Sequence, residues 1–179
     1  MINQIVVRKI DVTEVEKLKE VGILTFTESF AHLNTESDMK QYLDKSFNNA
    51  QILSELENPE SDFYFAEING EVVGYLKLNY GKAQTEQKLQ NSLEIERIYI
   101  LAKFQGNRIG QLFFDKALEV ANARKAEYLW LGVWEHNEGA LRFYKRNGLE
   151  PFDKHVFWLG EDKQYDILMK MPLKAEQIS

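Results

Sequence analysis

The chain has 179 residues, enough for one domain with a full core. It contains no cysteine, which excludes disulfides, thiolate metal sites and cysteine nucleophiles. Its formal charge of −6 repels a phosphate backbone, which argues against nucleic acid as a partner and favours cationic ligands.

The apolar runs are too short to span a bilayer, so no membrane partner is expected. The start, MINQIVVRKID, is too polar for a signal peptide, and the cytoplasm is the expected location. No repeat or Ser/Gly-rich linker interrupts the chain. One domain is expected over residues 1–173, followed by a polar tail over 174–179.

Ile5 to Ile10 reads as a first strand. Val12 to Phe30 reads as a helix, because Val15, Leu18, Val21, Leu24 and Thr25 recur at helical spacing. Ser37 to Leu56 holds one or two shorter helices anchored by Tyr42, Leu43, Phe47, Ile52 and Leu56. Phe63 to Ile68 and Glu71 to Tyr80 form a hairpin about the Asn69-Gly70 turn. A polar stretch leads to a strand over Leu93 to Ile100. Ile109 to Lys125 is an amphipathic helix, with Ile109, Leu112, Phe113, Ala117, Val120 and Ala121 on one stripe. Tyr128 to Val133 is a buried-type strand, and Glu138 to Asn147 is a helix closed by Gly148. Pro151 to Leu159 and Gln164 to Met171 are the last strands. This order implies an α/β fold, a mixed sheet with helices on both faces. A right-handed crossover through the Ile109 helix makes strands 93–100 and 128–133 parallel neighbours.

Two segments carry chemistry. In SLEIERIYI the apolar positions are Leu93, Ile95, Ile98 and Ile100, at spacings of two, three and two. One extra residue near Glu96-Arg97, a β-bulge, restores a single inward face; a strand half-buried on both faces is the alternative. The turn Gln105-Gly106-Asn107-Arg108-Ile109-Gly110-Gln111 then opens a helix. Its unpaired N–H groups, the helix dipole and Arg108 suit a pyrophosphate. This turn resembles the pyrophosphate loop of the GNAT superfamily of N-acetyltransferases. Gln105 and Gly110 match the ends of that pattern, while Arg108 stands where an inner glycine is usual.

The second segment runs from Asn137 to Leu149. Asn137 suits an N-cap and Gly148 a C-cap, and Ala140, Phe143, Tyr144 and Asn147 share one side of the helix. A capped helix with an aromatic core face accounts for each residue singly. The whole string resembles the GNAT pattern of Asn, Ala, Phe-Tyr and Gly-Phe at matching spacing, with Leu149 in the last place.

The resemblance implies a mostly antiparallel sheet whose splayed parallel pair holds acetyl-CoA, and direct acetyl transfer to an amine. It implies coenzyme contacts from Ile98, Tyr99 and Ile100, from Gln105 to Gln111, and from Asn137, Phe143, Tyr144 and Arg146. In that family the asparagine binds the coenzyme arm and the tyrosine protonates the departing thiolate, here Asn137 and Tyr144. An amine of pKa about 10 also needs a base. Glu96 is the candidate, through water, with a cation-binding or solvated carboxylate as the alternative for Glu94 and Glu96. An N–H freed near Ile98 would hold the carbonyl oxygen.

TFTESF at 25–30, Met39, Tyr42-Leu43, SLEIERIYI and WLGVWE at 130–135 are similar to the PaiA-type bacterial spermidine/spermine N-acetyltransferases. That implies a polyamine acceptor in a groove lined by Glu28, Glu94, Glu96 and Glu135 beside Phe26, Phe30, Tyr42 and Trp134. For Phe26, Phe30 and Tyr42 the competing place is the core. Competing functions are a GNAT enzyme for a protein N-terminus, amino acid or aminoglycoside, and a non-catalytic acyl-CoA-binding regulator. His32, His136 and His155 lack metal-ligand spacing, so no metal is expected. Both monomer and homodimer stay open.

Overall fold

The computed structural model describes residues 4–174. Its strands are β1 (Ile5–Lys9), β2 (Ser61–Ile68), β3 (Glu71–Tyr80), β4 (Ser92–Ile100), β5 (Tyr128–Trp134), β6 (Glu150–Leu159) and β7 (Asp162–Pro172). They form a seven-stranded sheet in the order β1-β2-β3-β4-β5-β7-β6. Every neighbouring pair is antiparallel except β4–β5. The helices are α1 (Val15–Phe30), α2 (Glu36–Ser46), α3 (Asn49–Glu57), α4 (Ile109–Ala123) and α5 (Glu138–Arg146).

Local signals set several boundaries. Residues Val12–Glu14 form a 3-10 turn, so α1 begins three residues later than its apolar spacing predicts. Asp11 caps that turn through Thr13 N at 2.8 Å, and Glu14 answers to Asp11 N at 2.9 Å, a capping box. The apolar span 37–56 divides where Asn48 caps α3 through Gln51 N at 2.9 Å. α4 stops at Ala123, short of the expected Lys125, because Lys125 takes a left-handed φ of 57°.

The sheet separates two apolar layers. On one face α4 and α5 pack Ile109, Phe113, Phe114, Ala117 and Tyr144 onto Leu93, Ile95, Leu129 and Leu131. On the other, α1–α3 bring Leu18, Val21, Phe26, Met39, Phe47 and Ile52 onto Phe63, Phe65 and Tyr75. The expected bulge is present. Lys77 pairs with Arg97 and Leu78 with Ile95, leaving Glu96 as the extra residue. Ile98 and Ile100 therefore rejoin the layer that holds Leu93 and Ile95. No helix among the described residues is long and apolar enough to cross a membrane. Apart from Lys174, the tail expected over 174–179 lies outside the described residues.

Candidate active site

The parallel pairing of β4 with β5 runs only from Ser92↔Tyr128 to Ile95↔Leu131. Past the bulge the two strands part. β4 stays on β3 through Ile100, and β5 stays on β7 through Trp134. Leu101 N donates to Val73 O at 2.9 Å, so by the alternation of an antiparallel ladder Tyr99 and Arg97 also point toward β3. The N–H groups of Ile98 and Ile100 point the other way, into the opening.

The chain leaves β4 through a 3-10 turn (Ala102–Phe104) and enters α4 after Gln105–Arg108. Gly106 has φ +86°, and a Cβ there would meet nothing within 4 Å, so the backbone is open to close approach. Arg108 is the N-cap of α4 with φ 66°, a left-handed conformation that favours glycine. Its side chain is exposed and makes no capping bond. The first-turn N–H groups of α4 are thus left without a side-chain cap beside a guanidinium, which fits a phosphate-bearing ligand.

α5 lies against this helix. Gln111 Nε2 donates to Asn147 Oδ1 at 3.0 Å, and a Cβ on Gly110 would lie 3.9 Å from the Phe143 ring. Asn137 Oδ1 accepts from Ala140 N at 3.1 Å, which leaves its amide N–H groups for another partner. Gly148, at φ +100°, closes the helix, and Leu149 N donates to Tyr144 O at 3.0 Å. Tyr144 is 5% exposed, and burial alone pushes its hydroxyl above the usual phenol range. No hydrogen bond from that hydroxyl to another described residue is present. It stays protonated through neutral pH with its proton uncommitted.

On the α1–α2 side of the sheet lies a pocket of about 250 Å³. Its floor is Trp130, Gly132 and Trp134 of β5. Glu94, Glu96, Arg97 and Tyr99 of β4 line one side, and Gln164, Asp166 and Leu168 of β7 the other. Phe30, Tyr42, Thr85, His155 and Phe157 complete it. Trp130 is pinned by its Nε1, which donates to Gln84 Oε1 at 2.7 Å.

The two β4 carboxylates differ in kind. Glu96 ion-pairs with Lys77 at 2.5 Å and lies 3.7 Å from Arg97; both cations also meet Glu55, at 3.5 and 3.2 Å. Burial raises the Glu96 carboxyl, but Arg97 and Lys77 outweigh that and hold it below the usual carboxylate range. A carboxylate so held is a weak base. Glu94 is 3% exposed and accepts from Thr85 N at 2.9 Å, from Thr85 Oγ1 and from Asn79 Nδ2 at 3.1 Å. Burial pushes it up against the Thr85 bonds, and the neighbouring Glu96 charge adds to the rise.

Of the residues the sequence singles out, Phe30, Tyr42, Glu94, Glu96 and Trp134 meet in this pocket. Phe26 does not. It is 1% exposed and stacks on Tyr42 at 4.4 Å, a core residue that positions a pocket wall. Glu28 lies elsewhere, accepting from Ala102 N at 2.8 Å at the end of β4. Glu135 is also outside the lining and pairs with Lys154 and His136, each at 3.6 Å. Arg146 is exposed in the last turn of α5. Sequence reasoning missed Gln164 and Asp166. Their alternation with Leu168 on β7 marks one strand face, but not which cavity that face meets.

Splayed strands with inward N–H groups, an open helix N-terminus and a protonated tyrosine on one face of the sheet, with an acidic pocket on the other, suit an acyl-CoA-dependent acyltransferase. The acetyltransferase (GNAT) family model matches residues 26–149. The chain belongs to this family and is an acetyl-CoA-dependent N-acetyltransferase. An uncharacterized N-acetyltransferase from the pepI 3′ region of Lactobacillus delbrueckii subsp. lactis is 45% identical over 149 residues, 83% of this chain and 86% of its own. Spermidine N(1)-acetyltransferase of Thermoplasma acidophilum is 20% identical over 164 residues, 89% of this chain and 97% of its own. The crystal structure of PaiA N-acetyltransferase from Thermoplasma acidophilum in complex with coenzyme A shares the fold, with a TM-score of 0.76 at 19% identity, covering 95% of this chain and 99% of that one.

Proposed function

We propose that the acetyl acceptor is a polyamine of the spermidine/spermine class. The acceptor pocket carries this reading: Glu94 and Asp166 stand beside the rings of Phe30, Tyr42, Tyr99, Trp134 and Phe157. Arg97 also lines it, but Glu55 and Glu96 take up that charge. Carboxylates attract the ammonium groups, and aromatic faces receive the cations and their methylenes. The likeness to a spermidine N(1)-acetyltransferase supports the same class.

Acetyl-CoA supplies an activated thioester when bound. Around it we assign the backbone of Gln105–Gln111 with Arg108 to the pyrophosphate, and Asn137, Phe143 and Arg146 to the coenzyme arm and its surroundings. The inward N–H groups of Ile98 and Ile100 hold the carbonyl oxygen as charge develops on it. An ammonium of pKa about 10 must first lose a proton. Glu94, with its raised proton affinity, suits that task better than Glu96, directly or through pocket water. Glu96 instead ties the bulge to Lys77 and Arg97. Tyr144 keeps its proton on Oη until a thiolate of pKa about 8.5 leaves.

A thiol-release assay with acetyl-CoA tests the assignment across polyamines, monoamines, amino acids, aminoglycosides and peptides. Spermidine and spermine are expected to give the highest kcat/KM. No turnover of either, with strong turnover of peptides, would replace the polyamine by a protein N-terminus. Thiol release with none of them would point to an acyl-CoA-binding regulator.

A further inference from the structure

We infer that Asp166 and Gln164 of β7 form a second-cation subsite, which holds a non-reacting ammonium while the reacting nitrogen lies at the β4 side of the pocket. The inference rests on the polyamine reading for its class of ligand. Its grounds are two acceptors on one strand face with no donor to satisfy them.

Asp166 lines the pocket, and no hydrogen bond or ion pair to it is present among the described residues. Burial pushes its carboxyl up, with the nearby His155 opposing the rise. His155 sits directly across from it on β6, yet turns its Nδ1 to Glu86 at 2.6 Å. Gln164, two residues before Asp166, also lines the pocket and is only 9% exposed. Its Nε2 donates to Asp162 Oδ2 at 2.7 Å and Asn34 Oδ1 at 3.2 Å. Both partners are acceptors, so the amide orientation is determined, and Oε1 is left buried without a donor. A buried amide oxygen without a donor is costly in the free protein, and the half-buried Asp166 carboxylate beside it lacks a donor among the described residues. An ammonium seated against this strand face would bring a counter-charge to Asp166 and an N–H donor toward Gln164.

The sheet places this pair at the far end from Glu94. Glu94 is level with Trp130 of β5, and Asp166 with Trp134 on β5's other side. Two strand spacings and four residues of rise separate the Cα positions by roughly 16 Å, which the two side chains shorten from each end. Gly132 lies between them on the floor. A Cβ there would come within 3.3 Å of Leu168 and 3.6 Å of Asp166 Oδ2, so glycine keeps the path along the floor clear. The arrangement fits an extended amine with cationic nitrogens at both ends.

The test is Asp166→Asn, which keeps the shape and removes the charge. Steady-state thiol release would be measured with spermidine and with butylamine. The KM ratio of spermidine to butylamine is expected to rise about ten- to hundredfold, the scale of one charge-assisted hydrogen bond. Without ligand, the variant should melt at or above the wild-type temperature, because a half-buried charge with no partner among the described residues has been removed. An unchanged KM ratio, or a melting temperature several degrees lower, would overturn the subsite; the latter would show that Asp166 has a structural partner. Calorimetric binding of spermidine to both proteins reads the subsite without turnover. Weaker binding by the variant supports it, and equal affinity or no binding to either protein refutes it. Wild-type binding without acetylation of spermidine would sink the polyamine reading and leave the subsite standing.

Discussion

Replacing Glu96 by glutamine removes one charge from a closed cluster. Glu55, Lys77, Glu96 and Arg97 balance to zero, and no side chain among them is more than 20% exposed. The variant leaves a net positive charge in that setting. Breaking a buried pair from one side costs about 3–5 kcal/mol. Glutamine still offers an oxygen to Lys77 and to Asn79, which donates to Glu96 at 2.8 Å, so the lower end, about 3 kcal/mol, is expected. For a chain of this size that is a fall in Tm of about 6–12 °C. Because the folded state holds the Glu96 carboxyl below its ordinary value, its contribution is fully present above the unfolded carboxylate range. It is lost as the pH falls through the folded value. Thermal unfolding by circular dichroism should therefore show a constant gap between wild type and Glu96→Gln from pH 6 to 8, narrowing in acid. A Tm within about 2 °C of wild type at neutral pH would refute the reasoning, as would a gap that persists unchanged in acid. Activity below both transitions separates this role from base catalysis. Loss of kcat by about 10²–10⁴ would mark Glu96 as the proton acceptor after all.

Tyr144→Phe should lower kcat by about 10²-fold or more while shifting Tm little, because the hydroxyl has no partner to lose among the described residues; turnover equal to wild type at every pH would remove Tyr144 as the acid. Glu94→Gln should abolish the acidic limb of the kcat/KM profile. It should also change stability with the opposite sign to Glu96: the raised folded value means wild-type Glu94 disfavours folding as pH rises past the unfolded value. The advantage of the variant in Tm should accordingly grow from acid to neutral pH, and a shrinking advantage would contradict it. Arg108→Gly relieves a left-handed residue at about 1–2 kcal/mol, offset by about 0.4–1 kcal/mol of unfolded-chain entropy, so a net gain near 0.5–1 kcal/mol is expected in urea unfolding. The same change removes a cation at the mouth of α4 and should raise KM for acetyl-CoA; an unchanged KM would take Arg108 out of the pyrophosphate contact.

Local pattern carried much of this molecule. The period of α4, the capped string from Asn137 to Gly148 and the Asn69-Gly70 hairpin are written in spacing and turn chemistry, which depend on residues within a few positions of one another. The two-three-two spacing in β4 even marked the bulge at Glu96, because a strand with a single apolar layer must restore its phase. Tertiary structure decided what spacing cannot encode. Phe26 went to the core and Phe30, one helical turn later, to the pocket, according to which neighbours each meets. Glu94 and Glu96 look equivalent in SLEIERIYI, yet Lys77 and Arg97 hold one down while burial lifts the other. Asp166 and Gln164 joined the site only because β7 inserts between β5 and β6, bringing a late strand beside the splay. Proton affinity and pocket membership arise from charges and burial supplied by distant segments, and those become definite only once the sheet is assembled.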